Sequence, residues 1–164
     1  MKNVALHKKS FYLQAHDQLL SDLTLITRWL IYIGAAFFIV SLLLTSLFTS
    51  GDDIQGIWIL VLGWIGLVIF QFSWFANPLN LLALLLVNQR PTIALLLSIS
   101  AFILASQAFF FSEIPTGLSH GKIFIKEFGL GFYFWYLAQA LFLTGIFVEI
   151  LSRHKKTRTS LVSS

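Results

Sequence analysis

Four long apolar runs stand out along the chain, at residues 29–48, 57–75, 92–111 and 131–151, and short polar stretches separate them. Each holds about 20 residues, which as an α-helix covers roughly the 30 Å hydrocarbon thickness of a bilayer. Backbone groups in lipid need partners within their own segment, so the pattern predicts four transmembrane helices. Ahead of them, Leu19, Leu20, Leu23 and Ile26 recur at helical spacing while Asp17 and Asp22 turn elsewhere. Ser10 is placed to cap an amphipathic helix running from Phe11 into the first span.

The predicted organisation is a cytoplasmic N-terminal segment at 1–28, a four-helix transmembrane domain at 29–151 and a basic cytoplasmic tail at 152–164. Composition fits this class. Of 164 residues, 57% are hydrophobic and only 11% charged, and mean hydropathy is +0.83. A soluble domain carries about a quarter charged residues. There is no cysteine, which excludes disulfides and thiolate chemistry.

Charge sets the expected orientation. Lys2, Lys8, Lys9, Arg28, Arg90, Arg153, Lys155, Lys156 and Arg158 fall on one side of the four spans, and only Lys122 and Lys126 fall on the other. The positive-inside rule then places both termini in the cytoplasm of a bacterial inner-membrane protein. No cleavable signal precedes the first span, which reads as a retained anchor.

Small residues form a seam on each span. Ala94, Ser98, Ala101, Ala105, Ala108 and Ser112 mark the third span, and Gly131, Ala138, Gly145 and Ser152 mark the fourth. The second has Gly56, Gly63, Gly66 and Ser73, and the first Gly34, Ser41 and Thr45. Membrane helices associate through such close-approach faces, and short loops favour an up-down-up-down antiparallel bundle. Ala101, Ala105, Ala138 and Gly145 are the expected packing contacts.

Residues 72–91 interrupt the pattern. Ala76-Asn77-Pro78 stops one apolar run, and a second of about nine residues follows, too short to span. Asn77 reads as an N-cap with Pro78 in the first turn. The expectation is a short interfacial helix on the cytoplasmic side, between the second and third spans. The sharper alternative is a half-helix aimed at a substrate, but it has no repeated mate elsewhere in the chain.

Candidate chemistry is thin. His7, His16, His120 and His154 all lie outside the spans and give no metal-binding spacing. Ser119-His120 lacks a third partner, and the loop at 112–130 reads as solvated. Within the spans the polar residues are neutral. Gln107 and Gln139 are placed to meet between the third and fourth spans, a contact expected to contribute only about 0.6 kcal/mol. Glu149 precedes Arg153 in the favourable i,i+4 order. Trp29, Trp58, Trp74 and Trp135 lie near span ends, as interfacial anchors do.

Trp74-Phe75-Ala76-Asn77-Pro78-Leu79, and later Gly131-Phe132-Tyr133-Phe134-Trp135, resemble segments of a set of small, uncharacterised bacterial inner-membrane proteins. In that set a W-x-A-N-P-L segment follows the second span and an aromatic segment opens the last. The resemblance implies a four-span fold and carries no activity, cofactor or site.

Three function classes follow. The reading by exclusion is an accessory or scaffold subunit that binds another membrane protein, without a catalytic site, cofactor, metal or nucleic acid. A homo-oligomeric channel or carrier using Gln107, Gln139 or the Asn77-Pro78 break is the alternative, and a lipid-modifying enzyme the third.

Overall fold

The structure, a computed structural model, describes the backbone of residues 2–116 and 121–163, and side chains at Gln18, 21–68, 70–114 and 123–153. Its order is α1 (Lys2–Leu43), β1 (Thr45–Thr49), β2 (Ile54–Gln55), α2 (Gly56–Leu62), α3 (Ala76–Leu86), α4 (Pro91–Gln107), β3 (Glu113–Thr116), β4 (Gly121–Phe128) and α5 (Leu130–Ser163). Three stretches are long and apolar enough to cross a membrane: Ser21–Leu43, Pro91–Phe110 and Leu130–Arg153. They overlap the first, third and fourth predicted spans.

α1 and α5 form the largest packing interface and run antiparallel. Thr27, Gly34 and Ser41 lie seven apart along α1 and are all buried, as are Gly131, Ala138, Gly145 and Ser152 along α5. A Cβ built on Gly145 would stand 3.1 Å from Ile31, and one on Gly34 3.0 Å from Phe142. Glycine therefore lets the two backbones approach where a larger residue would hold them apart. Heptad spacing keeps that seam on one side of each helix, as in left-handed packing. α1 is continuous from Lys2, with no boundary at residue 28. The side chains of Leu19 and Leu20 lie outside the described residues.

The first apolar run does not stay helical to residue 48. Thr45–Thr49 leave the helix as a strand, β1, in a four-stranded antiparallel sheet of order β2-β1-β4-β3. β1 pairs with β4 through Leu47–Phe128, Phe48–Glu127 and Thr49–Ile125, with a bulge between the last two. β4 pairs with β3 from Glu113–Phe124 to Thr116–Gly121. The stretch expected as a solvated loop is thus a β-hairpin, and Ile123 and Ile125 alternate with exposed Phe124 and Lys126. Gly51-Asp52-Asp53 forms the expected tight turn. There the Thr49 hydroxyl donates to the Asp52 carbonyl at 2.8 Å and accepts from the Gly51 N–H at 3.1 Å.

The second predicted span is not one continuous helix. α2 ends after seven residues, and a 3₁₀ segment continues over Gly63–Ile69. The chain then reverses at Phe70, whose φ of 58° is left-handed. The Gln71 N–H donates to the Gly66 carbonyl at 2.8 Å and the Phe70 N–H to Leu67 at 3.3 Å. This is the Schellman pattern, with phenylalanine where glycine is usual. Two interior glycines and several β-branched residues weaken the helix, and the returning chain occupies the space they leave: Gly63 faces Trp74, and Gly66 faces Gln71. The Trp74 indole donates to the Leu60 carbonyl at 2.8 Å.

The segment Gly56–Ile69 begins beside Ser41 and Leu44 and ends beside Gln107. Both places are level with the first two turns of α5, where Gly131 faces Ser41 and Tyr136 bonds Ser106. The segment therefore arches over the sheet end of the bundle instead of running its length.

Descent toward the other end falls to Ser73–Leu86. Ala76 packs with Ala101 and Ala105, Asn80 bonds Ser98, and Ala83 and Val87 pack with Ala94 and Ile146. α3 thus runs antiparallel to α4 and parallel to α5, wedged between them. The expected short helix, lying in the inner interface or tucked under the bundle, instead packs alongside α4 and α5. Small residues on α4 and polar side chains on α3 draw the helix inside.

Candidate functional site

The wedge is held by one chain of side-chain hydrogen bonds. The Ser98 hydroxyl donates to Asn80 Oδ1 at 2.8 Å, and Asn80 Nδ2 donates to Gln139 Oε1. Gln139 Nε2 donates to Asn77 Oδ1 at 3.3 Å, and Trp135 Nε1 donates to the same oxygen at 2.8 Å. Asn80, Ser98 and Gln139 are 2%, 0% and 1% exposed. Asn80 and Gln139 each have their orientation set by a donor on one side and an acceptor on the other, and Asn77 accepts both of its bonds at Oδ1. At that burial a missing partner would be costly, so the group acts as a specific lock among α3, α4 and α5.

Asn77 therefore does not cap α3. The helix begins at Ala76 with no side-chain cap. Asn77 is its second residue, and its side chain turns to α5, because Trp135 and Gln139 offer two donors. Gln139 and Gln107 do not meet. Gln107 instead clasps the reversal, with Nε2 donating to the Phe70 carbonyl at 3.1 Å and Oε1 accepting from the Phe72 N–H at 2.9 Å. Those backbone groups lie on either side of the left-handed turn, and one side chain satisfies both.

The other expected packing residues are placed as follows. Ala101 and Ala105 lie at 0% exposure against Ala76, and Ala138 is fully buried on α5. Gly145 faces Leu30, Ile31 and the Thr27 carbonyl on α1. Ser112, by contrast, is exposed beyond the end of α4.

An aromatic cluster adjoins the lock. Phe132 stacks on Phe128 with centroids 4.3 Å apart and meets Phe109 edge-on at 4.9 Å. Trp135 of this cluster bonds Asn77, so the two segments that carry the sequence resemblance meet in space. No protein-family model, curated protein or solved structure matches the chain.

At the opposite end, Arg153 pairs with Glu149 at 2.8 Å in the expected i,i+4 order. It also reaches the Asn88 carbonyl at 3.0 Å and Asn88 Oδ1 at 2.5 Å, fastening the turn after α3 to α5. Sequence reasoning missed this tie, and it missed Asn80 and Ser98 as partners. The spacing of Asn77 and Asn80, three apart and so on one face of a short helix, was the available signal. Ser119 and His120 lie outside the described residues, as do the side chains of His7, His16 and His154. Among the described residues, no three His, Asp or Glu side chains come together.

Above the lock, the arch borders a half-open cavity of about 690 Å³. Its walls come from the end of α1, the arch, the sheet and the start of α5, and Trp135 and Asn77 stand in its lining.

Proposed function

We propose that the chain is a multi-pass protein of the bacterial inner membrane, an accessory or scaffold subunit that binds another membrane protein. α1, α4 and α5 supply three crossings, and the wedge Ser73–Leu86 supplies the fourth, giving an up-down-up-down bundle in which the second crossing sits later in the chain than hydropathy suggests. The wedge is about 20 Å long, short of the usual ~30 Å, and the arch and sheet fill the remaining depth. The Arg153 end, rich in Lys and Arg, faces the cytoplasm.

One observation carries the accessory reading: Asn77, Asn80, Ser98, Gln139 and Trp135 direct their hydrogen bonds to one another. A bundle fastened in this way supports a fixed shape. It leaves large apolar side chains facing outward, including Leu25, Trp29 and Tyr32 on α1. Purification from native membranes, with mass determination of the intact complex, tests the reading. A reproducible stoichiometric second protein supports it, and a monomer or homo-oligomer alone contradicts it. A carrier of a membrane molecule is the second reading, favoured by the cavity under the arch.

A further inference from the structure

The cavity has the size of a small-molecule site, typically about 300–1,000 Å³, and its chemistry narrows the guest. Phe38, Ile59, Ile114, Ile125 and Phe128 give it apolar walls, and among the described residues no Asp, Glu, Lys, Arg or His lines it. A half-open apolar recess of this kind favours an apolar guest, whose burial removes apolar surface from water. A phosphate or carboxylate brought inside would lose its water without gaining a counter-charge. Besides Ser46 on β1, two polar side chains of the lining, Gln71 and Ser73, take no part in the side-chain hydrogen bonds that hold the fold. They sit together just after the reversal at Phe70, where the arch joins the wedge.

We propose that this chamber holds one uncharged lipid, its chain against the isoleucine and aromatic walls and its carbonyl or hydroxyl oxygens at Gln71 and Ser73. Gln71 offers both a donor and an acceptor, and Ser73 the same, so they match ester, ketone or alcohol oxygens. The inference rests on the membrane reading above but not on the accessory role. The arch forms one wall of the chamber, and Gln107 fixes the end of the arch, so this clasp also sets the chamber's shape.

Two probes with the same photoreactive acyl chain separate the possibilities: a diazirine-bearing diacylglycerol, and the phosphatidic acid that adds only a phosphate. Each is mixed into phosphatidylcholine vesicles holding the full chain, irradiated, and its adducts mapped by peptide mass spectrometry. Diacylglycerol adducts are expected at Ile59, Ile114 and Ile125 at about fivefold the level at Leu96 and Ile103, which are exposed on α4, as one or two net hydrogen bonds would give. Phosphatidic acid is expected to show no such preference.

Gln71→Leu, which removes the amide and keeps an apolar side chain there, is expected to lower the chamber adducts about fivefold and leave those at Leu96 and Ile103 unchanged. Ile125→Trp, which fills the space, is expected to remove them. If that variant elutes as misfolded protein, Gln71→Leu decides alone. Equal labelling by both probes, or equal labelling inside and outside, would each overturn the proposal. Release of the chain from membranes by alkaline carbonate would overturn the membrane reading itself, and failed chamber labelling of an embedded protein would overturn only the lipid.

Discussion

The wedge Ser73–Leu86 and the arch Gly56–Val68 are both short and strongly apolar, and hydropathy does not tell them apart. Their fates differ because of what each offers its neighbours. The wedge carries Ala76, Asn77, Asn80 and Ala83 on its inner side, and it meets an alanine-lined α4 and a Trp135–Gln139 pair on α5. The arch carries Trp58, Val61, Trp64 and Val68 outward, with Val68 80% exposed, and its Gly63 and Gly66 face only the returning chain. Apolar residues bring a segment to the membrane, but small and polar residues decide whether it enters the bundle.

Substitutions on α4 should break this contrast most severely. Ala101→Phe has no room beside Ala76 and is expected to cost on the order of 3 kcal/mol, whereas Ile103→Phe on the exposed side should change stability by less than about 0.5 kcal/mol. Thermal unfolding in detergent measures both, and equal tolerance would remove the wedge from the interior. Asn80→Leu leaves Ser98 and Gln139 without their shared partner and should cost about 2 kcal/mol, within the range for a buried group left unsatisfied. Ser98→Ala leaves only Asn80 Oδ1 without its donor and should cost about 1 kcal/mol, the lower end of that range.

On the arch side, Gln107→Leu frees the Phe70 carbonyl and Phe72 N–H and is expected to cost about 1 kcal/mol. Faster hydrogen exchange should then appear at residues 66–74 and not at 79–86. The last effect has the opposite sign. Phe70→Gly relieves a left-handed residue that glycine adopts freely, and it should stabilise the protein by about 1 kcal/mol. A loss of stability would mean that the Phe70–Phe72 ring contact, at 6.3 Å between centroids, outweighs the strain.

Much of the packing was legible. Seven-residue spacing marked Gly131, Ala138, Gly145 and Ser152 on α5, and the structure buries all four. The break at Ala76-Asn77-Pro78 was also visible, but its depth was not. Capping rules see only the local chain, in which Asn before Pro looks like a helix start. The residues that reassign Asn77, Trp135 and Gln139, lie about 60 positions away. The sheet was hidden for a similar reason. Thr45–Thr49 continues an apolar run without Gly or Pro, and its partner strand β4 lies beyond α4. The β-branched and aromatic run Ile123-Phe124-Ile125 was the one local hint.

The central claim, that the arch crosses the sheet end and the wedge makes the descent, is tested most directly by distance. The chain has no cysteine, so spin labels on single Cys pairs can be placed without background. The account predicts that Phe70→Cys lies closer to Ser112→Cys than to Asn88→Cys, because Phe70 sits by Gln107 while the wedge separates it from Asn88. The reverse order, with Phe70 nearer Asn88, would restore a full second span at 57–75 and contradict the account.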